Sequence, residues 1–225
     1  MNQYLRAVTE ARLARTAEHL RKNNMEARIA DTKEEALETV RSYLFDGCTI
    51  GVGGSATLDE IGAISLFRSG PYHFLDRYAP DLTPEKIKEI YRASFSADVY
   101  VMSANAVTET GLLYNVDGRS NRTAALLYGP DKVLVVAGIN KIVPDLDAAA
   151  ERVKRIAAPA NAMRLSCNTP CTVTGVCASV SAGKENELCA GCQADRRICS
   201  NTVISAHQTV KDRITVILVR ESLGF

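Results

Sequence analysis

The turn from Gly51 to Ser55 has the composition of an anion-binding loop. Glycines let the backbone turn its N–H groups outward, and the N-terminus of a following helix favours phosphate or carboxylate. Gly51, Gly53, Gly54 and the Ser55 hydroxyl are therefore candidate ligand-binding groups. The turn lacks the Lys-Ser/Thr pair of a nucleotide P-loop and the spacing of a dinucleotide fingerprint. A tight turn with a purely structural role is the alternative.

A second group of polar residues follows the predicted strand at residues 98–102. Asn105 is a candidate ligand-binding residue there, and Glu109 is the candidate catalytic residue. Open α/β sheets hold ligands beyond the carboxyl ends of their strands. At that position the Glu109 carboxylate would act as a base or a nucleophile. The alternative is an exposed glutamate that only caps a loop.

A third group, at residues 115–122, combines amides, a carboxylate and guanidinium groups beside a predicted helix start. We expect Arg122 to hold an anion through two parallel hydrogen bonds. The alternative is a turn in which Asp117 and Asn121 cap the backbone. The candidate ligand-binding residues of this group are Asn115, Asp117, Gly118, Asn121 and Arg122.

Lys141 is a further candidate for ligand binding. It follows the continuous apolar run at residues 132–137, which is typical of a strand buried on both faces. Because it comes just after a strand, we expect Lys141 on the same strand-end face as the other candidates. The alternative is a loop lysine in water.

Six of the seven cysteines lie within residues 167–199. Thiolate clusters of this kind suit zinc and iron–sulfur centres. Only one pair has the two-residue spacing common in metal sites, so the pattern differs from a zinc ribbon and from the ferredoxin run. Redox-active or reduced thiols and disulfides are the alternatives. The candidate metal ligands are Cys167, Cys171, Cys177, Cys189, Cys192 and Cys199.

Helical and strand patterns alternate along the chain, which predicts an α/β fold with a mostly parallel sheet covered by helices on both faces. We expect a single domain over residues 1–225, with a helical lead-in at 1–46 and a cysteine-rich excursion at 167–199. One helix is predicted to open with a capping box formed by Asp31 and Glu34. The predicted helices cover residues 4–22, 55–67 and 145–156 and begin near 31, 83 and 121; the predicted strands cover 48–50, 98–102, 112–116, 132–137 and 214–219.

The charge balance excludes a broad nucleic-acid surface. Lys and Arg number 27 against 26 Asp and Glu, and the net charge is +1, so an anionic partner is expected to be small. The N-terminus has no signal-peptide core and no apolar run approaches the length of a membrane span. We therefore expect a cytoplasmic protein that binds neither nucleic acid nor membrane. Whether it forms a homo-oligomer is left open.

Several segments together resemble the LUD family, the LutC-like lactate-utilisation proteins. They are the glycine turn followed by Thr57, Glu60 and Gly62, and the stretches SANAVTETG, NVDGRSNR, GPDKVLVVAGINKIV and RITVILVRESLGF. The resemblance implies a fold akin to the sugar-phosphate isomerase and CoA-transferase (NagB/RpiA-like) superfamily. The pattern Cys-x3-Cys followed by Gly-x-Cys resembles the cysteine-bearing branch of the family.

The resemblance also implies a function in the oxidation of lactate to pyruvate, beside iron–sulfur partner proteins. We therefore expect an accessory redox role in organic-acid metabolism, with a site for a small carboxylate or phosphate. Zinc or an iron–sulfur cluster is the cofactor that the cysteines suggest. Two alternatives are an isomerase or acyl/CoA-type transferase that uses Glu109, and a metabolite-binding protein without turnover.

Overall fold

The computed structural model of this protein describes residues 2–185 and 187–225. Ten α-helices are present in the described residues, and one π-helical stretch at Val153–Ala157 joins two of them. The helices are α1 (Gln3–Lys22), α2 (Lys33–Arg41), α3 (Ala56–Glu60), α4 (Ala63–Ser69), α5 (Pro84–Ala93), α6 (Asn121–Leu127), α7 (Leu146–Arg152), α8 (Ala158–Arg164), α9 (Pro170–Thr174) and α10 (Ala178–Ser181).

Six parallel strands form the main sheet, in the order β1-β10-β7-β4-β2-β3. The sheet confirms the predicted α/β class, and its parallel pairing requires the crossovers that the helices supply. Its strands are β1 (Glu26–Ala30), β2 (Thr49–Val52), β3 (His73–Phe74), β4 (Val99–Met102), β7 (Lys132–Gly138) and β10 (Ile214–Val219).

The central strand β7 is buried on both faces, as its apolar run predicts. Val133 and Val135 pack into the core that includes α1 and α6, whereas Leu134 and Val136 pack into the core beneath α2 and α4. Successive side chains of a strand point to opposite faces, so one continuous apolar run fills two cores.

A second, mixed sheet of four strands lies beside the first, in the order β8-β5-β6-β9. Strand β6 pairs antiparallel with both β5 and β9, while β5 and β8 are parallel. The sequence predicts only β6 of these strands and places it in one mostly parallel sheet, so the fold prediction is confirmed only in part. The four strands are β5 (Ala106–Thr108), β6 (Leu113–Asp117), β8 (Ile142–Val143) and β9 (Asn201–Ser205).

Two local predictions differ from the structure. The capping box of α2 lies one residue later than predicted, with Thr32 as the N-cap residue in place of Asp31. The Thr32 hydroxyl accepts from the Glu35 N–H at 3.2 Å, and the Glu35 carboxylate accepts from the Asp31 N–H at 2.6 Å. Gly62, at φ 79°, divides the helix predicted over residues 55–67 into α3 and α4.

The N-terminal segment is not wholly helical, because β1 forms an edge of the main sheet between α1 and α2. Thr83 caps α5, with Pro84 at the first helical position, as the sequence predicts. Across the described residues, no helix combines the length and the apolar character needed to cross a membrane.

Candidate functional site

A cleft of about 650 Å³ lies at the carboxyl ends of three neighbouring strands. Gly54, Ser103 and Lys141 all line it, and they follow β2, β4 and β7 respectively. Because the strands are parallel and adjacent, the residues after them meet at one edge of the sheet. The strand-end placement that the sequence predicts for the glycine turn and Lys141 thus agrees with the structure.

The four residues of the glycine turn have different surroundings. Gly54 and Ser55 line the cleft. A Cβ on Gly51 would lie 2.8 Å from the Tyr100 ring, and one on Gly53 would lie 2.9 Å from the Arg122 Cδ atom. Gly51 and Gly53 are therefore needed for close packing behind the cleft, whereas Gly54 and Ser55 face it.

Arg122 lines the cleft but is only 8% exposed, and its N–H groups all donate to protein oxygens. It is therefore saturated, and the two parallel bonds that we expected it to offer to an anion are already used within the protein. Arg122 instead fixes the wall of the cleft. Its acceptors are the side-chain oxygens of Asp117 (2.9 Å), Asn115 (2.7 Å) and Asn105 (2.8 Å) and the carbonyls of Ser103 (2.8 Å) and Val116 (3.1 Å).

Asp117 joins this network to the start of α6. One carboxylate oxygen accepts from Arg122, and the other accepts from the Thr123 N–H at 2.9 Å. The predicted capping role of Asp117 is therefore present together with an ion pair. Gly118 and Asn121 also line the cleft, so this loop contributes surface as well as support.

Asn105 connects a second guanidinium to the same wall. Its side-chain oxygen accepts from Arg122, and its carbonyl accepts from Arg152 Nη1 at 2.7 Å. Arg152 also donates to the Asn140 carbonyl at 2.9 Å. Two buried guanidiniums thus flank the position of Lys141.

Lys141 is 3% exposed and its Nζ atom contacts two hydroxyls, Thr57 Oγ1 at 2.7 Å and Ser103 Oγ at 2.9 Å. Burial, followed by the positive charges of Arg152 and Arg122, lowers the pKa of Lys141 to about 7. Low-dielectric surroundings and like charges both disfavour the ammonium form. Near neutral pH, Lys141 therefore carries a substantial population of neutral amine.

The lining of the cleft is strongly cationic. Among its described residues, seven have basic side chains and only Asp117 and Asp195 have acidic ones. Within residues 2–185 and 187–225, Arg122 alone of the seven forms an ion pair. The seven are Arg77, Arg119, Arg122, Lys141, Arg164, Arg196 and Arg197.

Five of these arginines were not predicted as ligand-binding residues, and one of them, Arg119, lies in the group at residues 115–122. Arg77 lies after β3, where its Nη2 donates to the Tyr91 hydroxyl at 2.7 Å. Arg164 ends α8, and Arg196 and Arg197 lie in the cysteine-rich segment. The adjacent arginines at 196 and 197 were the one sequence feature that could have indicated an anion site here. Nothing local in the sequence places them in the same cleft as the glycine turn.

Glu109 does not line the cleft. Its carboxylate accepts from Arg12 Nε at 2.6 Å and from Arg15 Nη2 at 3.1 Å, both on α1. Burial raises the pKa of Glu109, but the hydrogen bonds from Arg12 and Arg15 outweigh burial and lower it below the ordinary value. A carboxylate held in this way is a weak base, and it joins α1 to the second sheet.

The six clustered cysteines separate into three environments. Cys167 lines the cleft, and Cys189 is exposed. The other four, Cys171, Cys177, Cys192 and Cys199, line a second, much smaller cavity between α8 and the segment that leads to β9. Burial raises the pKa of the Cys199 thiol, which favours the protonated form.

These cysteines share a cavity but do not converge on one point. In the part of the chain that the structure describes, no three His, Cys, Asp or Glu side chains are placed to hold one metal ion. The arrangement therefore does not fit a metal centre as the thiols stand. All seven cysteines of the chain are free thiols in the structure.

Arg197 connects the small cavity to the cleft, because it lines both. Its guanidinium donates to the carbonyls of Cys199 (2.9 Å), Cys192 (3.0 Å) and Cys189 (3.3 Å). A single side chain thus organises the backbone of the cysteine segment and forms part of the cationic wall.

Comparison with known proteins agrees with this description. The LUD domain family profile matches residues 13–219. The chain is similar in structure to a DUF162 family protein from Deinococcus radiodurans, with a TM-score of 0.50 and 14% sequence identity over 94% of this chain and 97% of the other. That likeness is one of fold. No curated protein matches the sequence significantly.

Proposed function

Because this chain belongs to the LUD domain family, a family linked to lactate utilisation, we propose that it binds a small anionic metabolite of organic-acid metabolism in the cationic cleft. One observation carries the proposal: five of the six arginines that line the cleft form no ion pair among the described residues. A carboxylate or phosphate supplies the missing negative charge.

The geometry favours a small anion over a large polyanion. Arg122 and Lys141 line the cleft as buried residues, whereas Arg119, Arg164 and Arg196 line it as exposed ones. Exposed cations attract an anion over a distance of about a Debye length, roughly 8 Å at physiological salt. A positive charge at a buried position attracts an anion more strongly, because water screens it less.

The test is the binding of lactate, pyruvate and inorganic phosphate, measured by isothermal titration calorimetry. The double variant Arg164→Gln/Arg196→Gln removes two exposed cations that have no ion pair. We expect it to weaken binding about tenfold, which corresponds to about 1.4 kcal/mol. Raising the salt concentration should weaken binding to the wild type more than to this variant.

The matched control is Lys88→Gln/Lys211→Gln, which removes the same charge from exposed lysines outside the cleft lining. Binding to this control should equal binding to the wild type. Equal losses in both double variants would show that net charge alone attracts the anion, and absence of binding by all three probes would contradict the proposal.

The cysteine segment supports a second, redox component of the proposal. Four thiols line one small cavity, and the cavity shares Arg197 with the cleft. We propose that this segment gives the protein its accessory redox role through its thiols. Iron–sulfur partner proteins would then be the redox partners.

The Glu109-dependent transferase or isomerase has less support. Glu109 lies outside the cleft lining and is held by two arginines of α1. We therefore expect Glu109→Gln to leave the binding of lactate and phosphate unchanged. A loss of binding in that variant would restore Glu109 to the site.

A further inference from the structure

Lys141 differs from Lys132, the lysine of the preceding strand, in having no acidic partner. Lys132, on the same strand–loop unit, lies 3.2 Å from the Glu26 carboxylate. Lys141 forms no ion pair with any described residue, and its nearest polar contacts are two hydroxyls. A buried ammonium without a carboxylate is costly, so a lysine with only a structural role is poorly accounted for here.

The two hydroxyls act on Lys141 as acceptors. Thr57 Oγ1 donates its own hydrogen to the Leu223 carbonyl at 3.4 Å, and Ser103 Oγ donates to the Ala104 carbonyl at 3.3 Å. Both hydroxyls are therefore free to accept from the amine and to fix its direction. The third position on the nitrogen has no acceptor among the described residues, and Lys141 lines the cleft.

Such a nitrogen is placed to attack a carbonyl carbon. A neutral lysine amine is nucleophilic, and desolvation beside other cations is one way in which proteins produce it. Arg122 and Arg152 supply those neighbouring charges and are held rigidly by their own hydrogen bonds. They would also attract a carboxylate toward the same point.

We propose that Lys141 condenses with the carbonyl group of a 2-oxo carboxylate bound in the cleft and forms an imine. This inference rests on the proposed function, because the unpaired cations of the cleft are what would hold the carboxylate. It adds a reacting group and a substrate class: the ligand carries a ketone next to its carboxylate.

The step balances without an oxidant or reductant. The nitrogen lone pair of neutral Lys141 forms a C–N bond, and the carbonyl oxygen takes one hydrogen from the amine as the carbinolamine forms. The second amine hydrogen then leaves with the hydroxyl group as water, and the C=N bond replaces C=O. The Thr57 and Ser103 hydroxyls accept from the amine before the attack and so direct its lone pair toward the third position.

The experiment uses the full-length protein and pyruvate as the probe, with sodium borohydride added to reduce any imine to a stable amine. We expect one reduced pyruvate adduct by intact mass spectrometry, mapped to Lys141 by peptide sequencing. Lactate, which lacks the ketone, and acetone, which lacks the carboxylate, should give no adduct under the same conditions.

The matched variants are Lys141→Met and Lys132→Met. The first should lose the adduct, whereas the second should retain it, because Lys132 is paired with a carboxylate. Ser103→Ala should reduce the adduct several-fold by loosening the amine. If Lys141→Met fails to fold, the peptide map of the wild-type adduct decides the question.

Calorimetry on the same samples without borohydride separates the two proposals. If pyruvate and lactate bind but no adduct maps to Lys141, the imine is refuted while the anion site stands. If neither ligand binds and no adduct forms, both proposals fail. Adducts spread over several surface lysines would also overturn the inference.

Discussion

The two walls of the cleft are built in different ways. On the sheet side, Arg122 and Lys141 are almost fully buried and fixed by side chains from β6, from α3 and from the loop after β4. On the opposite side, Arg196 is exposed, and Arg197 is fixed mainly by backbone carbonyls of its own segment. Long-range contacts produce a preorganised surface, whereas local contacts produce one that can adjust at lower cost.

The largest expected difference between the walls is in stability. Arg122→Ala removes five hydrogen bonds and leaves the Asp117 carboxylate without its partner, so we expect a loss of about 3–5 kcal/mol in the free energy of unfolding. Arg197→Ala should cost about 1–2 kcal/mol, since it removes bonds to partly exposed carbonyls. Urea denaturation measures both, and equal losses would contradict the comparison.

The second expected effect is the dependence of stability on pH. The pKa of Lys141 is about 7 in the folded protein and about 10.4 in an unfolded chain. Between these two pH values Lys141 is mostly protonated in the unfolded chain and mostly neutral in the folded protein. The free energy of unfolding therefore rises with pH, by at most about 1.4 kcal/mol per pH unit. Lys141→Met should remove that rise and stabilise the protein most below pH 7. A thermal-melt series from pH 6 to 10 checks this, with Lys132→Met as the control.

A smaller effect should distinguish two neighbouring glycines. A Cβ on Gly53 meets Arg122 Cδ at 2.9 Å, whereas a Cβ on Gly54 meets its nearest atom, Arg77 Nη1, at 3.5 Å. Gly53→Ala should therefore cost about 1–3 kcal/mol through overpacking of the sheet-side wall, and Gly54→Ala well under 1 kcal/mol. Denaturant midpoints compare the two, and a larger loss for Gly54→Ala would be unexpected.

The smallest expected effect concerns the thiols. Cys171→Ser and Cys199→Ser alter the small cavity and not the sheet-side wall, so anion affinity should change less than about threefold in either variant. Anaerobic purification with metal analysis and visible absorbance tests the cofactor in parallel. A colourless protein without zinc or iron would contradict the metal prediction, and a loss of anion binding when a metal is removed would show that the two walls are coupled.

The sheet-side wall was the more predictable of the two. Strand β7 is a long apolar run, and a residue after such a strand must lie at the sheet edge, so the position of Lys141 follows from local pattern. The burial of Arg122 does not, because its acceptors come from residues as far away as Ser103 and from a sheet whose strands are mostly short. A two-residue strand such as β8 has no periodic signal.

Glu109 is a residue that the local pattern places in the cleft and that the structure places outside it. Its position after the strand predicted at residues 98–102 suggested the cleft. The β5–β6 hairpin instead turns it toward α1, where Arg12 and Arg15 contact it. Helix α1 is distant in sequence, and its arginines look like ordinary solvated charges. The metal prediction stays a prediction for a similar reason: cysteine spacing indicates ligands, while the positions of the thiols depend on a segment with little regular structure.

Arg197 and Ile198 line both the cleft and the thiol cavity, so a shift of either residue changes both compartments. If oxidation of the thiols changes the free energy of anion binding, then anion binding changes the free energy of thiol oxidation by the same amount. The midpoint potential of the cysteines would then be a function of metabolite concentration. Under that condition, the amount of bound anion would alter how readily the thiols are oxidised.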